Sequence, residues 1–156
     1  MSMTTLDGIK ASLANMLKGI ERYNPDNIIT LEQYVQMQAK DNGYDLEANL
    51  ALLKLYQFNP QQMNMPYVEM VLLKALTNLP HSDFSLCKSL LTIDVLEKTP
   101  SIKTITYLAD LLETCMFKEF WAKLRTLPDL VRPIAGFEDS IRKVSNTAIN
   151  GKHQFH

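Results

Sequence analysis

Disulfides, glycosylation and membrane insertion all lack material in this sequence. Its two cysteines, Cys87 and Cys115, form no C-x-x-C pair, and no asparagine has Ser or Thr two positions later. That usage fits a reducing, intracellular compartment, so the expected localisation is cytoplasmic. The longest aliphatic runs, Leu50 to Leu53 and Met70 to Leu73, are four residues each, far short of the roughly 20 that cross a bilayer. The opening MSMTTLDGIK has neither the basic flank nor the apolar centre of a signal peptide, and no membrane partner is expected. Glycine is scarce and scattered, at positions 8, 19, 43, 136 and 151, and builds no phosphate-cradling loop. The histidines, His81, His153 and His156, are too few and too separated for a zinc site. Neither sign of charge dominates: 16 Lys and Arg face 17 Asp and Glu for a net charge of -1, which gives no general attraction to phosphate backbones. Period-two alternation is weak, and its best stretch, Ile102 to Tyr107, is absorbed into a longer helical pattern. No cofactor and no metal is expected.

What the sequence has in quantity is apolar surface at helical spacing. Hydrophobic residues make up 46% of the 156, and a chain of this length buries about 68–70% of its unfolded surface without staples. Tyr44 to Lys88 organises the rest. A helix over Leu46 to Phe58, capped by Asp45, is apolar on nearly every side except a stripe holding Glu47 and Lys54, so it belongs between neighbours. A second, over Val68 to Leu79, places Val68, Val71, Leu72, Ala75, Leu76 and Leu79 on one face and leaves Glu69, Lys74, Thr77 and Asn78 outside it. Pro60 and Pro80 end them, since proline cannot donate to a continuing helix.

The flanks follow the same logic. Leu6, Ile9, Leu13, Met16, Leu17 and Ile20 share a face, with Thr4, Thr5 or Asp7 as the start and Asn24-Pro25 as the stop. Thr30 and Gln33 have capping-box spacing for a helix closed at Asn42-Gly43, with the glycine taking the left-handed position. Ser82 or Asp83 can cap a helix carrying Leu86, Cys87, Leu90, Leu91 and Ile93 towards Pro100. From Ser101 the widest stripe runs through Ile102, Ile105, Leu108, Ala109, Leu112, Cys115 and Met116, with a break expected near Met116. Phe117, Phe120, Trp121 and Leu124 give another face, and Phe137, Ile141 and Val144 a last helix that soon loses its apolar side.

Two regularities point to a repeat. Pro60, Pro80 and Pro100 are spaced by twenty, and Leu52-Leu53-Lys54 recurs as Leu72-Leu73-Lys74 at the same place before its proline. Tyr23-Asn24-Pro25 and Phe58-Asn59-Pro60 sit thirty-five apart. Two helices per forty residues is the HEAT-like pair length, so the expected fold is all-α, a HEAT-like or TPR-like helical repeat stack of about seven to eight helices, against an irregular bundle.

Reactive chemistry finds little footing. His81, Asp83 and Cys87 are the one close grouping of imidazole, carboxylate and thiol, but Cys87 shares a face with Leu90 and Leu91 and lies past the first turn, where dipole help fades. Cys115 reads as core. Asp110 and Glu113, three apart on one helix, read as a solvated face rather than a paired-acid site. The aromatic cluster Phe117, Phe120 and Trp121 is the one interface candidate, with core packing as the plainer reading. Lys118, Lys123, Arg125, Arg132, Arg142 and Lys143 are diluted by Glu119, Asp129, Glu138 and Asp139, and direct RNA binding is not expected.

Longer strings carry more than periodicity does. KGIERYNPDNI, YDLEANLALLKLYQFNP, LLKALTNLPHSDFSLCK, YLADLLETCMFKEFW and IAGFEDSIRK, collinear between Leu6 and Lys143, closely resemble the subunit k family of eukaryotic translation initiation factor three, a PCI-type scaffold family. The resemblance implies a helical-repeat module followed by a winged-helix module, no catalytic site, and a non-enzymatic scaffold role. It implies as partners the other subunits of that factor, above all the one called l, and the small ribosomal subunit through the complex. After Val144 comes SNTAINGKHQFH, with no apolar period. The expected organisation is therefore a helical-repeat domain at 1–143 and a polar, disordered tail at 144–156. The competing readings are an adaptor in another PCI-type assembly, such as the proteasome lid or signalosome, and a cysteine-dependent enzyme built on His81 and Cys87.

Overall fold

Among the described residues, side-chain caps or first-turn prolines mark the starts of five α-helices. The computed structural model describes residues 6–154, in which ten α-helices and no strand occur. They are α1 (Leu6–Met16), α2 (Ile28–Lys40), α3 (Leu46–Phe58), α4 (Met65–Leu76) and α5 (Asp83–Ser89), then α6 (Ile93–Lys98), α7 (Pro100–Glu113), α8 (Phe117–Leu124), α9 (Pro128–Val131) and α10 (Phe137–Gln154). Pro66, Pro100 and Pro128 stand in first turns, where the missing N–H would have no partner in any case. The all-α stack is as the sequence leads one to expect, with more and shorter helices.

α2, α4 and α7 pack one after another as a row, and α3 and α5 lie together in a second row against α2 and α4. α1 leans on α2, while α6 and α8 lean on α7. Leu31, Leu52, Leu72, Leu76, Ile105 and Leu108, from α2, α3, α4 and α7, are fully buried. Burying such a side chain contributes about 1.5–3 kcal/mol each, so the rows are held by area rather than by staples.

A polar seam fixes how α3 sits on α2. Asp45 caps α3, its Oδ1 accepting the Ala48 N–H at 3.2 Å, while its Oδ2 accepts the Tyr34 hydroxyl of α2 at 2.8 Å. Beneath it Gln38 and Asn49, both buried, exchange amide hydrogen bonds of 2.8 and 3.1 Å. The Gln38 oxygen also accepts the Asp45 N–H at 2.8 Å. Every polar atom of the pair finds a partner, as burial demands.

Several elements depart from the sequence reading. α1 stops at Met16, because Gly19 turns the chain at φ +67°, and Ile20 lies past its end; Thr4 and Thr5 lie outside the described residues. α2 starts before Thr30, after a 3-10 turn over Pro25–Asn27 in which Asn24 Oδ1 accepts the Asp26 N–H at 3.0 Å. At its end Asn42, not Gly43, takes the left-handed conformation with φ 55°. The Gly43 N–H then reaches back to Gln38 O at 2.8 Å. Gly43 leaves room for a side chain: a Cβ there would lie 2.3 Å from Leu6 Cδ2, so the tip of Leu6 would have to turn aside.

The single helix expected before Pro100 is two. Thr92 Oγ1 accepts the Val95 N–H at 3.2 Å and starts α6 afresh, leaving Ile93 72% exposed. α7 ends without glycine or proline because Cys115 adopts φ 59°, and the Met116 N–H closes on Leu111 O at 2.8 Å. Cys115 is therefore half-buried and Met116 exposed, neither lying in the core stripe. Lys74, expected on the open side of α4, is 2% exposed. Its Nζ lies 3.4 Å from Asn42 Oδ1, and burial lowers its pKa from the ordinary lysine value.

The far end of the chain returns to α2. The Ala135 N–H donates to Ala39 O at 2.8 Å, and Gly136, at φ +68°, sits beside the Asn42 side chain. From there α10 runs on past Lys143. Val144 is buried and the Ser145 hydroxyl bonds back to Ile141 O at 3.1 Å.

Candidate functional site

The possible nucleophile group does not assemble. Cys87 lies on α5 with no exposed surface, and burial, reinforced by the Asp83 charge, pushes its thiol up to about 12. Such a thiol stays protonated and unreactive at neutral pH. Asp83 is occupied, its Oδ2 accepting the Tyr44 hydroxyl and the Asn78 amide, each at 2.5 Å. His81 is exposed in the turn before α5, and among the described residues no hydrogen bond joins it to Cys87. It instead lines a groove of about 380 Å³ with Ser82, Ser85, Glu113, Cys115 and Val144. Sequence distance hid that neighbourhood, since α7 and α10 bring in its far wall.

Asp110 and Glu113 are exposed along α7. Among the described residues no group of three His, Cys, Asp or Glu could hold a metal ion, and no helix is long and apolar enough to cross a membrane. The side chains of His153 and His156 fall outside the description.

Of the aromatic cluster, Phe120 is fully buried in the core, and Phe117 and Trp121 are half-buried with surface left over. Phe120 meets Trp121 edge to face at 5.2 Å, and the Arg142 guanidinium of α10 lies 5.2 Å from the Trp121 ring centre. The cations Lys118, Lys123, Arg125, Arg132, Arg142 and Lys143 are all exposed, but Arg132 is paired to Asp129 and Arg142 to Glu138 and Asp139.

A second aromatic pair comes from the two aromatic-Asn-Pro turns. Tyr23 and Phe58 meet edge to face at 6.0 Å, and both rings remain largely open to solvent. The matching turns were visible in the sequence; that they touch depends on how α3 lies beside the segment after α1.

The described surfaces thus offer helix faces and aromatic edges. A family model described as the CSN8/PSMD8/EIF3K family matches residues 62–151, past Lys143. The chain is 55% identical over 141 residues to eukaryotic translation initiation factor 3 subunit K of Xenopus tropicalis, covering 90% of this chain and 64% of the relative. The same figures hold for the subunit K of Homo sapiens. For that of Aedes aegypti the identity is 54% over 137 residues, covering 88% of this chain and 62% of the relative. The chain therefore spans about 64% of the length of the first two of these curated relatives. With a family model covering more than half its residues and identities of this size, the chain belongs to the CSN8/PSMD8/EIF3K family.

Proposed function

We propose that the chain is a non-enzymatic scaffold subunit of eukaryotic translation initiation factor 3, supporting initiation on the small ribosomal subunit in the cytoplasm through protein–protein contacts. The observation that carries this is the 55% identity to subunit K along 90% of the chain. The site chemistry agrees with it, because the buried, protonated Cys87 is not poised for catalysis. Its partners are the other subunits of that factor, with subunit l foremost. Phe117 and Trp121 are the side chains assigned to a partner contact, being half-open aromatics backed by the buried Phe120.

Pull-down of the tagged chain from cells tests the proposal. Recovery of initiation factor 3 subunits, including l, and co-sedimentation with small ribosomal subunits are expected. Phe117→Ala with Trp121→Ala should lower that recovery while helicity by circular dichroism is kept. Recovery of proteasome-lid or signalosome subunits instead would favour the second reading, an adaptor in one of those assemblies, which draws on a family description joining CSN8 and PSMD8 to EIF3K. Iodoacetamide at neutral pH should label Cys115 well before Cys87; rapid Cys87 alkylation would revive the enzyme reading.

A further inference from the structure

α1 and α3 both lean on α2, and two grooves run end to end between them, sharing Leu17 and Glu47. The floor is apolar, made by Leu13 and Leu17 on one side and Leu50 and Ala51 on the other. The rim is cationic. Lys10, Lys18 and Arg22 line the side of α1 and the turn after it, Lys54 adds a fourth cation from α3, and all four are exposed. Glu47 is the one exposed carboxylate among the described lining residues; Asp45 has its oxygens taken by Tyr34 and Ala48. The ion pairs found among the described residues lie elsewhere, at α6, α9 and α10. In a chain with a net charge of -1 this is a local reversal of sign.

At one end of the groove stand Tyr23, 44% exposed, and Phe58, 62% exposed, with the Arg22 guanidinium 4.8 Å from the Tyr23 ring centre. Aromatic and arginine side chains left open beside an apolar channel are the residue types that anchor binding partners.

We propose that the α1–α3 groove is a docking site for an acidic amphipathic helix of a partner protein. The floor calls for an apolar ridge, which a helix with leucine-like residues at i, i+3, i+4 and i+7 supplies. The rim calls for carboxylates flanking that ridge, placed towards Lys10, Lys18 and Arg22. A nucleic acid would answer the rim and leave the floor bare. The proposal concerns a surface of this chain alone and holds whichever large assembly the chain joins.

The test uses the full chain and two dye-labelled helical peptides of about 14 residues, roughly four turns. Both carry the same leucine ridge, one flanked by Glu and the other by Lys. Anisotropy should show the Glu peptide binding at least about tenfold more tightly, with the gap shrinking as salt rises. Amide shifts on binding should be confined to α1, α3 and the Tyr23 turn. Lys18→Glu with Arg22→Glu should weaken the Glu peptide about tenfold and reverse the preference. Should that variant lose helicity, Lys10→Glu with Lys54→Glu supplies the same readout. Equal binding of both peptides, no binding, an unchanged affinity in the reversed variants, or shifts elsewhere would each overturn the proposal. So would occupation of the groove by a second copy of the chain, or by a single-stranded RNA oligonucleotide, in preference to the Glu peptide.

Discussion

The α2–α3–α4 block and the α8–α10 end are both helical, yet they use polar residues in opposite ways. In the first, Gln38, Asn49 and Lys74 are buried, and each contacts a named partner across elements. In the second, Arg132–Asp129 and Arg142–Glu138 are ion pairs within one local segment, with most of both side chains in water. Buried polar groups are costly when unpaired, so they restrict how α3 can sit on α2. Exposed pairs three or four residues apart restrict almost nothing. The first block is therefore specified by few groups, while the second depends on apolar burial through Phe120, Phe137, Ile141 and Val144.

That contrast can be broken by substitution. Leu72→Ala, which empties a fully buried site on α4, should cost about 2–5 kcal/mol in urea unfolding followed by Trp121 fluorescence. Gln38→Ala should cost about 1–3 kcal/mol by leaving Asn49 and the Asp45 N–H without an acceptor. Replacing Gln38 and Asn49 together by Leu should recover part of that loss in a double-mutant cycle. Asp45→Ala, which removes a cap and the partner of Tyr34, should cost about 1–2 kcal/mol in the same assay. Lys74→Met should raise stability by about 1 kcal/mol at neutral pH, because the amine no longer has to be dehydrated. Its pH signature has a definite sign. The folded pKa lies below that of the unfolded chain, so the unfolded state holds the proton to higher pH, and wild-type stability rises with pH across that window. The variant should lack that rise, as the wild-type-minus-variant difference in a pH series shows. Smallest of all, Glu138→Ala should change stability by less than about 0.5 kcal/mol; a cost matching Gln38→Ala would erase the contrast.

Sequence signals reached as far as local chemistry reaches. Asp45 was legible as a cap because it stands immediately before an apolar run, and the end of α7 was legible from a shift in the apolar face. Thr92 went unread because it sits inside an apolar pattern that continues through it, and Cys115 because nothing about cysteine announces a left-handed turn. Lys74 could not be placed from α4 alone; its burial depends on the end of α2 lying over it, with Asn42 as its contact. The groove between α1 and α3 was equally out of reach. Its charges are unremarkable along the chain and become a cationic rim only when Lys10, Lys18 and Arg22 are set opposite Leu50 and Ala51.

Helix arrays held only by nearest neighbours can fray from either terminus, one unit at a time. Here the Ala135 N–H meets the Ala39 carbonyl, so the connection ahead of α10 is fastened to a helix near the beginning. The line is clasped into a loop. Amide protons near both ends of that clasp should exchange with solvent in one concerted opening, and neither end should come undone while the other stays shut.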